Sequence, residues 1–321
     1  MSVKLSQRWL GHISKMAEDR INSFFEALFF APKLYHYFAI ILLSPLSLLY
    51  GILMLLRRLL VKKETFPLPI ISIGNLIVGG SGKTPFVIAL ALRYPQTTII
   101  SRGYGRQSRG LVEVSRMGEI LATVEESGDE AMLMAESLPQ CSVTVSEDRK
   151  KAIEKAISEG AELIILDDGF NRVDIDKFDI LLEPEHIVNR LPFPAGPFRE
   201  FAFIGRYADL VAKENRDFKR KVSYIDLREK MLLVTAISHP ERLDFYLPDG
   251  VVSKHYLPDH AYFDEENLKK LMFGSGAGSL LVTQKDAVKM KGFKLPLSII
   301  KLELDIDSGV MKEIDRYLHL R

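Results

Sequence analysis

Residues 70–86 have the sequence IISIGNLIVGGSGKTPF, and this stretch decides the fold class. Its first four residues predict a short buried strand, and apolar residues at helical spacing follow from Phe86. Between them lies a glycine-rich turn, in which main-chain N–H groups can surround phosphate oxygens at the positive end of a helix. The pattern predicts nucleotide binding by Ile77, Val78, Gly79, Gly80, Ser81, Gly82, Lys83 and Thr84.

One position departs from the strict phosphate-loop pattern. The pattern has glycine five positions before Gly82, where this chain has Ile77. A glycine-rich turn without a ligand is the alternative interpretation. The Gly-Lys-Thr sequence between a strand and a helix favours phosphate binding. We expect Lys83 to reach the β- and γ-phosphates of ATP and the Thr84 hydroxyl to face Mg²⁺.

A second motif ends in two carboxylates. Four apolar residues, 163–166, precede Asp167, Asp168 and a glycine. The pattern resembles the strand that presents an Asp to the magnesium of a P-loop, at the sheet edge where open α/β folds bind ligands. A plain turn at the end of a strand is the alternative. Together with the upstream P-loop, the motif predicts that Asp167 and Asp168 form the Mg²⁺ site, and it leaves open which of them contacts the metal.

The alternation of short apolar runs with helical stretches predicts an α/β fold with a P-loop NTPase-like, doubly wound, mostly parallel sheet. Lys213–Arg228 is crowded with charge and is interpreted as a connector. Another α/β pattern after it predicts a second, smaller domain. The expected parts are an N-terminal apolar helical membrane-associating segment, a P-loop nucleotide-binding domain, and a smaller C-terminal α/β domain with the connector, at residues 1–64, 65–212 and 213–321.

The composition of the 321 residues excludes several classes of protein. Hydrophobic residues make up 47% and the formal net charge is +1, which argues against disorder and against a generic nucleic-acid binder. The single cysteine, Cys141, excludes an internal disulfide. Residues 1–64 hold nine Lys or Arg and four Asp or Glu, a formal charge of +5, so the remaining residues sum to −4. A basic N-terminal segment, called the front end below, therefore precedes a slightly acidic remainder of the chain.

The front end contains 23 residues, 34–56, without a charged side chain. As a helix they would span roughly 34 Å, against about 30 Å for the hydrocarbon core of a bilayer. Pro45 and Gly51 are expected to interrupt that helix. The alternatives are a buried helix pair, an interfacial anchor and a single span. Membrane association is favoured because basic residues flank the stretch, and its depth stays open.

Other candidate residues are less specific. Asp129 follows a glycine and opens a predicted helix, where an N-terminal acid is common without any catalytic role. His260 lies in a predicted loop, where histidine is often structural. Several arginines lie near predicted strand ends and could meet an anionic substrate, although solvated surface charge is the alternative. They are Arg102, Arg106, Arg149, Arg172 and Arg199.

Several motifs together resemble the tetraacyldisaccharide 4′-kinases, the lipid A 4′-kinases of Gram-negative bacteria. That family does not require the missing first glycine of the P-loop. The matching stretches, in order, are GNLIVGGSGKTP (74–85), SRGYGR (101–106), GDE (128–130), SEDR (146–149), LDDGF (166–170), LPFPAGPFRE (191–200), LPDH (257–260) and TQKDAVK (283–289).

The resemblance implies transfer of the ATP γ-phosphate to the 4′-hydroxyl of a tetraacylated glucosamine disaccharide 1-phosphate, forming lipid IVA. It implies Mg²⁺ as the metal, and the lipid A precursor and the bilayer as partners at the cytoplasmic face of the bacterial inner membrane. No nucleic acid and no obligate protein partner is inferred. Lys83, Asp129 and His260 are the implied catalytic residues, with Asp129 as base and His260 tuning it or relaying a proton. The substrate-binding candidates are Arg102, Arg149, Asn171, Arg199 and Glu200.

The chain departs from the family at Asn171-Arg172, where Gln-His is usual. Two other functions are alternatives to the lipid kinase. A membrane-anchored P-loop switch or assembly ATPase would need a water-positioning Gln and no lipid acceptor. A soluble P-loop kinase of a small metabolite would leave residues 34–56 unexplained.

Overall fold

The structure, a computed structural model, describes residue 21, residues 23–79 and residues 82–320. It divides the chain into two compact units. We call them the apolar unit, made of described residues up to 61 with 76–78 and 184–207, and the sheet unit, made of 62–75, 79–183 and 208 onward. The boundaries expected from the sequence, 1–64, 65–212 and 213–321, stay a prediction.

The apolar unit is built on one long helix, α1 (Leu34–Leu60), whose most apolar 18-residue window has a mean hydropathy of 2.4. By length and composition α1 can cross a membrane. It continues through Pro45 and Gly51, so the predicted interruption does not occur. One hydrogen bond near the proline comes from the Ser44 hydroxyl, which donates to the Ile40 carbonyl at 2.6 Å.

The two faces of α1 differ in composition. The buried face carries small or polar residues beside one isoleucine: His36, Ile40, Ser47 and Gly51. Ser47 accepts a hydrogen bond from the main chain of Ala195 at 2.8 Å, and Arg58 makes a two-pronged ion pair with the buried Glu200 at 2.8 and 2.9 Å. The other face is bare and apolar, with Ile41 and Leu42 each 71% exposed. Polar contacts therefore hold α1 inside its unit while most of its apolar surface stays outside.

The first sheet of the sheet unit has eight strands in the order β4-β3-β5-β2-β6-β1-β7-β8. The six strands from β5 to β8 in this order are parallel, and β3 and β4 are antiparallel additions at one edge. This confirms the predicted doubly wound, mostly parallel sheet. The strands are β1 (Ile70–Gly74), β2 (Thr97–Ser101), β3 (Val112–Arg116), β4 (Glu119–Ile120), β5 (Ser142–Val145), β6 (Leu163–Asp167), β7 (Phe178–Glu183) and β8 (Leu210–Lys213).

The second sheet has five strands in the order β11-β10-β12-β13-β9, and its α/β pattern confirms the smaller α/β element. Its strands are β9 (Phe218–Ile225), β10 (Met231–Thr235), β11 (Val251–Tyr256), β12 (Ser279–Thr283) and β13 (Leu297–Ile306). The helices of the sheet unit are α2 (Lys83–Ala91), α3 (Val124–Ser127), α4 (Asp129–Ser137), α5 (Arg149–Ser158), α6 (Glu265–Gly274), α7 (Gln284–Ala287) and α8 (Ser308–His319).

The connector predicted over Lys213–Arg228 is wrong for most of its length, because β9 lies there and pairs antiparallel with β13. β9 is an edge strand, and the side chains of Lys219 and Lys221 are exposed on it. Lysine on an edge strand is compatible with a β ladder and discourages pairing with another chain. High charge density therefore marks a sheet edge here.

The core of the sheet unit joins the helix after the P-loop to the second sheet. Phe86 on α2 is fully buried, and its ring lies edge-on to that of Phe218 on β9, with 5.5 Å between the centroids. Aromatic pairs in this arrangement add to the free energy gained by burying their area.

We predict that Phe86→Ala lowers the free energy of unfolding by about 3–5 kcal/mol, because it leaves a cavity and removes the aromatic pair. Phe86→Leu, the matched control, should cost clearly less because it fills most of the space. Guanidinium chloride unfolding followed by far-ultraviolet circular dichroism measures both variants. A loss below about 1 kcal/mol for Phe86→Ala would contradict this account of the core.

Candidate active site

The P-loop begins where β1 ends and leads into α2. Gly82 has a φ of 76°, a left-handed conformation that favours glycine, and Lys83 is the first residue of α2. The Lys83 ammonium lies 3.2 Å from the Asn75 side-chain oxygen and 3.6 Å from an Asp168 carboxylate oxygen. Asn75 is fully buried, so its amide fixes the direction of the lysine.

The remaining predicted nucleotide-binding residues fall in three places. Ile77 and Val78 belong to the apolar unit, where Val78 donates a main-chain hydrogen bond to the Pro197 carbonyl at 2.9 Å. Gly79 and Thr84 belong to the sheet unit. Gly80 and Ser81 lie outside the described residues.

Asp167 ends β6 beside β1, opposite Ile73, so the acid lies at the sheet edge where the P-loop starts. The Ser101 hydroxyl donates to one carboxylate oxygen at 2.8 Å. Its other oxygen is buried and has no hydrogen-bond partner in the part of the chain that the structure describes. Burial, with the charges of Glu130 and Asp168, raises the pKa of Asp167 to about 6. A buried carboxylate oxygen in this position fits a divalent cation, which Thr84 and Asp168 would help to hold.

Asp168 follows with a φ of 51°, an uncommon backbone conformation for a residue with a side chain. The turn directs its carboxylate to Lys83. Strained backbone of this kind persists where surrounding contacts hold it, and it is common at functional sites.

Asp129 and His260, 131 positions apart, are brought together in the sheet unit. The His260 Nδ1 lies 3.0 Å from both carboxylate oxygens of Asp129. Asp129 is the first residue of α4 and is buried, whereas His260 lies in the loop after β11 with a φ of 59°. The SRGYGR stretch also contributes, since the Tyr104 ring centroid is 5.1 Å from that of His260.

Two lysines complete the surroundings of Asp129. Lys285 and Lys289 lie 3.8 and 3.4 Å from the same Asp129 oxygen. Burial would raise the pKa of Asp129, but the His260 hydrogen bond and the two lysine charges outweigh it and hold the pKa below its usual value. Lys285 also lies 3.2 Å from Glu130, and the pKa of Lys285 is raised because Glu130, Asp129 and Asp259 outweigh its burial.

The end of β2 and the loop after it link the two predicted clusters. Ser101 donates to Asp167 at 2.8 Å, and the ring centroid of Tyr104, three residues later, lies 5.1 Å from that of His260. The Asp129–His260 pair therefore belongs to the same region of the sheet unit as Lys83, Asp167 and their partners.

The substrate-binding candidates occupy different environments. Arg102 is exposed directly after β2, and Asn171 is half-buried in the turn after β6. Arg149 is buried and donates to the main-chain oxygens of Ser146 at 2.6 Å and of Asp167 at 3.2 Å. Burial lowers its pKa to about 10.

The other two candidates belong to the apolar unit. Glu200 is the buried partner of Arg58, and the main-chain N–H of Arg199 donates to the Leu76 carbonyl at 2.7 Å. The structure thus gives Glu200 a packing role beside α1. The substrate contacts of all five candidates stay predictions.

Sequence reasoning missed several side chains that shape the site. They are Asn75, Ser101, Glu130, Lys285, Asp286 and Lys289. A signal was present for the two lysines, since TQKDAVK places them four positions apart, which puts them on one face of a helix. The pattern does not say which carboxylate that face meets.

The doubly wound sheet with a P-loop, a strand-end acid and a carboxylate–imidazole pair defines a nucleotide-dependent phosphotransferase. The sequence matches the tetraacyldisaccharide-1-P 4′-kinase family over residues 39–226 and 212–319. The chain belongs to this family.

Relatives and a solved structure agree. The tetraacyldisaccharide 4′-kinase of Helicobacter pylori strain HPAG1 is 46% identical over 92% of this chain and 95% of that protein. That of Aliarcobacter butzleri strain RM4018 is 42% identical over 91% of this chain and 96% of that protein. A crystal structure of the LpxK protein of Aquifex aeolicus in complex with ATP has a TM-score of 0.74 at 29% identity, covering 87% of this chain and 99% of that one.

We predict that Asp129→Ala and His260→Ala each lower kcat by about a hundredfold or more, while the KM for ATP changes little. We expect the two contacting side chains to act as one unit, so the double variant should be scarcely worse than the poorer single one. Steady-state kinetics at saturating substrates measures this. Fully multiplicative losses would mean two independent roles, and an unaffected His260→Ala enzyme would leave the histidine a structural residue.

Proposed function

We propose that this chain, a lipid A 4′-kinase by its family, transfers the γ-phosphate of ATP to the 4′-hydroxyl of a tetraacylated glucosamine disaccharide 1-phosphate, with Asp129 as the base. The observation that carries the residue assignment is the Asp129–His260 pair, linked to the strand-end acid Asp167 through Tyr104 and Ser101. Phosphoryl transfer needs charge neutralisation and an aligned hydroxyl more than covalent chemistry.

At the nucleotide end, Lys83 binds the β- and γ-phosphates with the main-chain N–H groups of the P-loop. Asn75 keeps the lysine directed along the loop. Thr84, Asp167 and Asp168 are the residues that would hold Mg²⁺. When bound, Mg²⁺ would neutralise charge on the phosphate oxygens.

At the acceptor end, an Asp129 oxygen accepts the proton of the 4′-hydroxyl as its oxygen bonds to the γ-phosphorus, while the bond from that phosphorus to the β–γ bridging oxygen breaks and ADP leaves. A carboxylate with a low pKa suffices, because the loose transition state of phosphoryl transfer demands little basicity, and kinases use Asp in this role. His260 holds the carboxylate through Nδ1 and so fixes the direction from which it meets the hydroxyl.

The bare face of α1 supports a location at a membrane. Its apolar side chains suit the hydrocarbon region or its boundary, and Lys62 and Lys63, just beyond the helix, suit anionic headgroups. The acyl chains of the substrate also favour an apolar layer over water. We place the enzyme at the cytoplasmic face of the inner membrane, where ATP is available.

The activity is tested by incubating the detergent-solubilised enzyme with Mg²⁺, ATP labelled at the γ-phosphate and tetraacyldisaccharide 1-phosphate. We expect labelled lipid, and at least about a hundredfold less with Lys83→Ala, because the ammonium counters charge that develops in the transition state. Lys269→Ala, an exposed lysine on α6, is the matched control. Near-normal turnover by Lys83→Ala would contradict the P-loop assignment, and lipid-independent phosphate release at the full rate would indicate a hydrolase.

The membrane contact is tested on the bare face of α1. Leu42→Asp combined with Leu49→Asp should reduce sedimentation with anionic lipid vesicles by about tenfold or more, because each carboxylate opposes burial in an apolar layer. Both leucines are exposed, so the fold and the KM for ATP should be retained. The matched control is the same double exchange at Leu92 and Leu121, exposed leucines of the sheet unit. Equal sedimentation of the two double variants would exclude α1 as the principal anchor.

A further inference from the structure

Lys289 is a buried lysine in the short turn after α7, and its ammonium lies near two carboxylates, a main-chain carbonyl and an aromatic ring. It lies 3.4 Å from Asp129 Oδ2 and 3.6 Å from Asp286 Oδ1, and it donates to the Ala261 carbonyl at 3.0 Å. The ammonium is also 5.0 Å from the centre of the Phe263 ring. Its side chain is 1% exposed, and a lysine this deeply buried needs compensating partners.

The contacts with Asp129 and with the Ala261 carbonyl both concern His260, because Asp129 contacts the imidazole and Ala261 is the next residue in the chain. The ammonium therefore joins the Asp129 carboxylate to the main chain that carries the imidazole. His260 itself has a left-handed backbone conformation, which a residue with a side chain adopts only when neighbouring contacts impose it.

Asp286, the fully buried partner of Lys289, holds the same loop from its other side. It accepts hydrogen bonds from the Thr235 hydroxyl at 2.6 Å and from the Ala236 N–H at 3.1 Å. The Ala236 carbonyl in turn accepts the His260 N–H at 3.1 Å. The main chain on both sides of the imidazole is thus tied to one buried ion pair.

We infer that Lys289 is a positioning residue for the kinase reaction: its ammonium, supported by Asp286, ties Asp129 to the loop of His260 and holds the pair in one geometry. The inference rests on the proposed role of Asp129 and His260. Lys285 has the same charge and faces the same Asp129 oxygen, but among the described residues it pairs with the carboxylates of Asp129, Glu130 and Asp259. Lys289 alone of the two reaches the main chain beside His260, in the part of the chain that the structure describes.

The charge of Lys289 gives the role a measurable signature. The titratable groups around Asp129 are His260, Tyr262, Lys285 and Lys289, with Glu130 and Asp259 beside Lys285. Lys289 is one of the groups that hold the pKa of Asp129 below its usual value. Its removal raises that pKa, so a base that must be ionised loses its proton only at higher pH.

The experiment compares Lys289→Met with Lys291→Met, which removes an exposed lysine paired with Glu136. With detergent-solubilised enzyme and the lipid disaccharide, Lys289→Met should lower kcat by about tenfold or more through lost alignment. At saturating Mg²⁺ and ATP, where the bound cation would keep Asp167 ionised, the acid limb of its kcat–pH profile should move up by about one pH unit, and the KM for ATP should change less than about threefold. Lys291→Met should keep the wild-type values.

The midpoint of the acid limb does not depend on how much of the variant folds, so partial unfolding does not imitate the expected shift. A wild-type midpoint in Lys289→Met, or a loss of kcat matched by an equal loss of affinity for ATP, would overturn the inference. If the wild-type enzyme fails to label the lipid disaccharide, the proposed function fails. If it labels the lipid and the midpoint does not move, this inference alone fails.

Discussion

The parallel pairing of β1 with β6 is the constraint on which the rest of the site depends. Because the two strands run in the same direction in register, with Ile73 opposite Asp167, their carboxyl ends meet at one sheet edge. The P-loop follows the carboxyl end of β1, and the acidic pair lies at the carboxyl end of β6. The neighbouring β2 ends there too, which gives Ser101 its contact with Asp167. The parallel pairings of β6 with β1 and with β2 thus bring together groups from three separate stretches of sequence.

The parts of the structure that the sequence predicts are those with a local signal. Short apolar runs ending in glycine or aspartate predict buried parallel strands, and the structure has them at β1 and β6. β9 was missed because its lysines and arginine give it the composition of a linker. It forms a strand because it pairs with β13, which lies far from it in sequence. The edge of a sheet is a tertiary property that composition alone does not reveal.

The same distinction applies to the site. Lys83 and the two adjacent acids are predictable because their chemistry and their place on the chain coincide, whereas the joining of Asp129 to His260 was expected only through family resemblance. Arg149 shows what sequence position does not reveal. Its position beside a strand suggested an anion site, but the structure buries the guanidinium against two main-chain carbonyls. A charge near a strand end does not say whether it faces solvent or the interior.

The two faces of α1 have different roles. One face packs inside the protein, and the opposite face is exposed and apolar. The packed face keeps a fixed pattern, since Gly51 admits the Phe201 ring so closely that a Cβ atom would lie 2.5 Å from it, and Ser47 holds a main-chain N–H. The bare face has no such requirement beyond being apolar. Under the proposed membrane contact, exchanges among leucine, isoleucine, valine and phenylalanine there are free to follow the thickness and fluidity of the host's lipids. Adaptation to a new growth temperature can thus proceed on this helix without any change in how the protein folds.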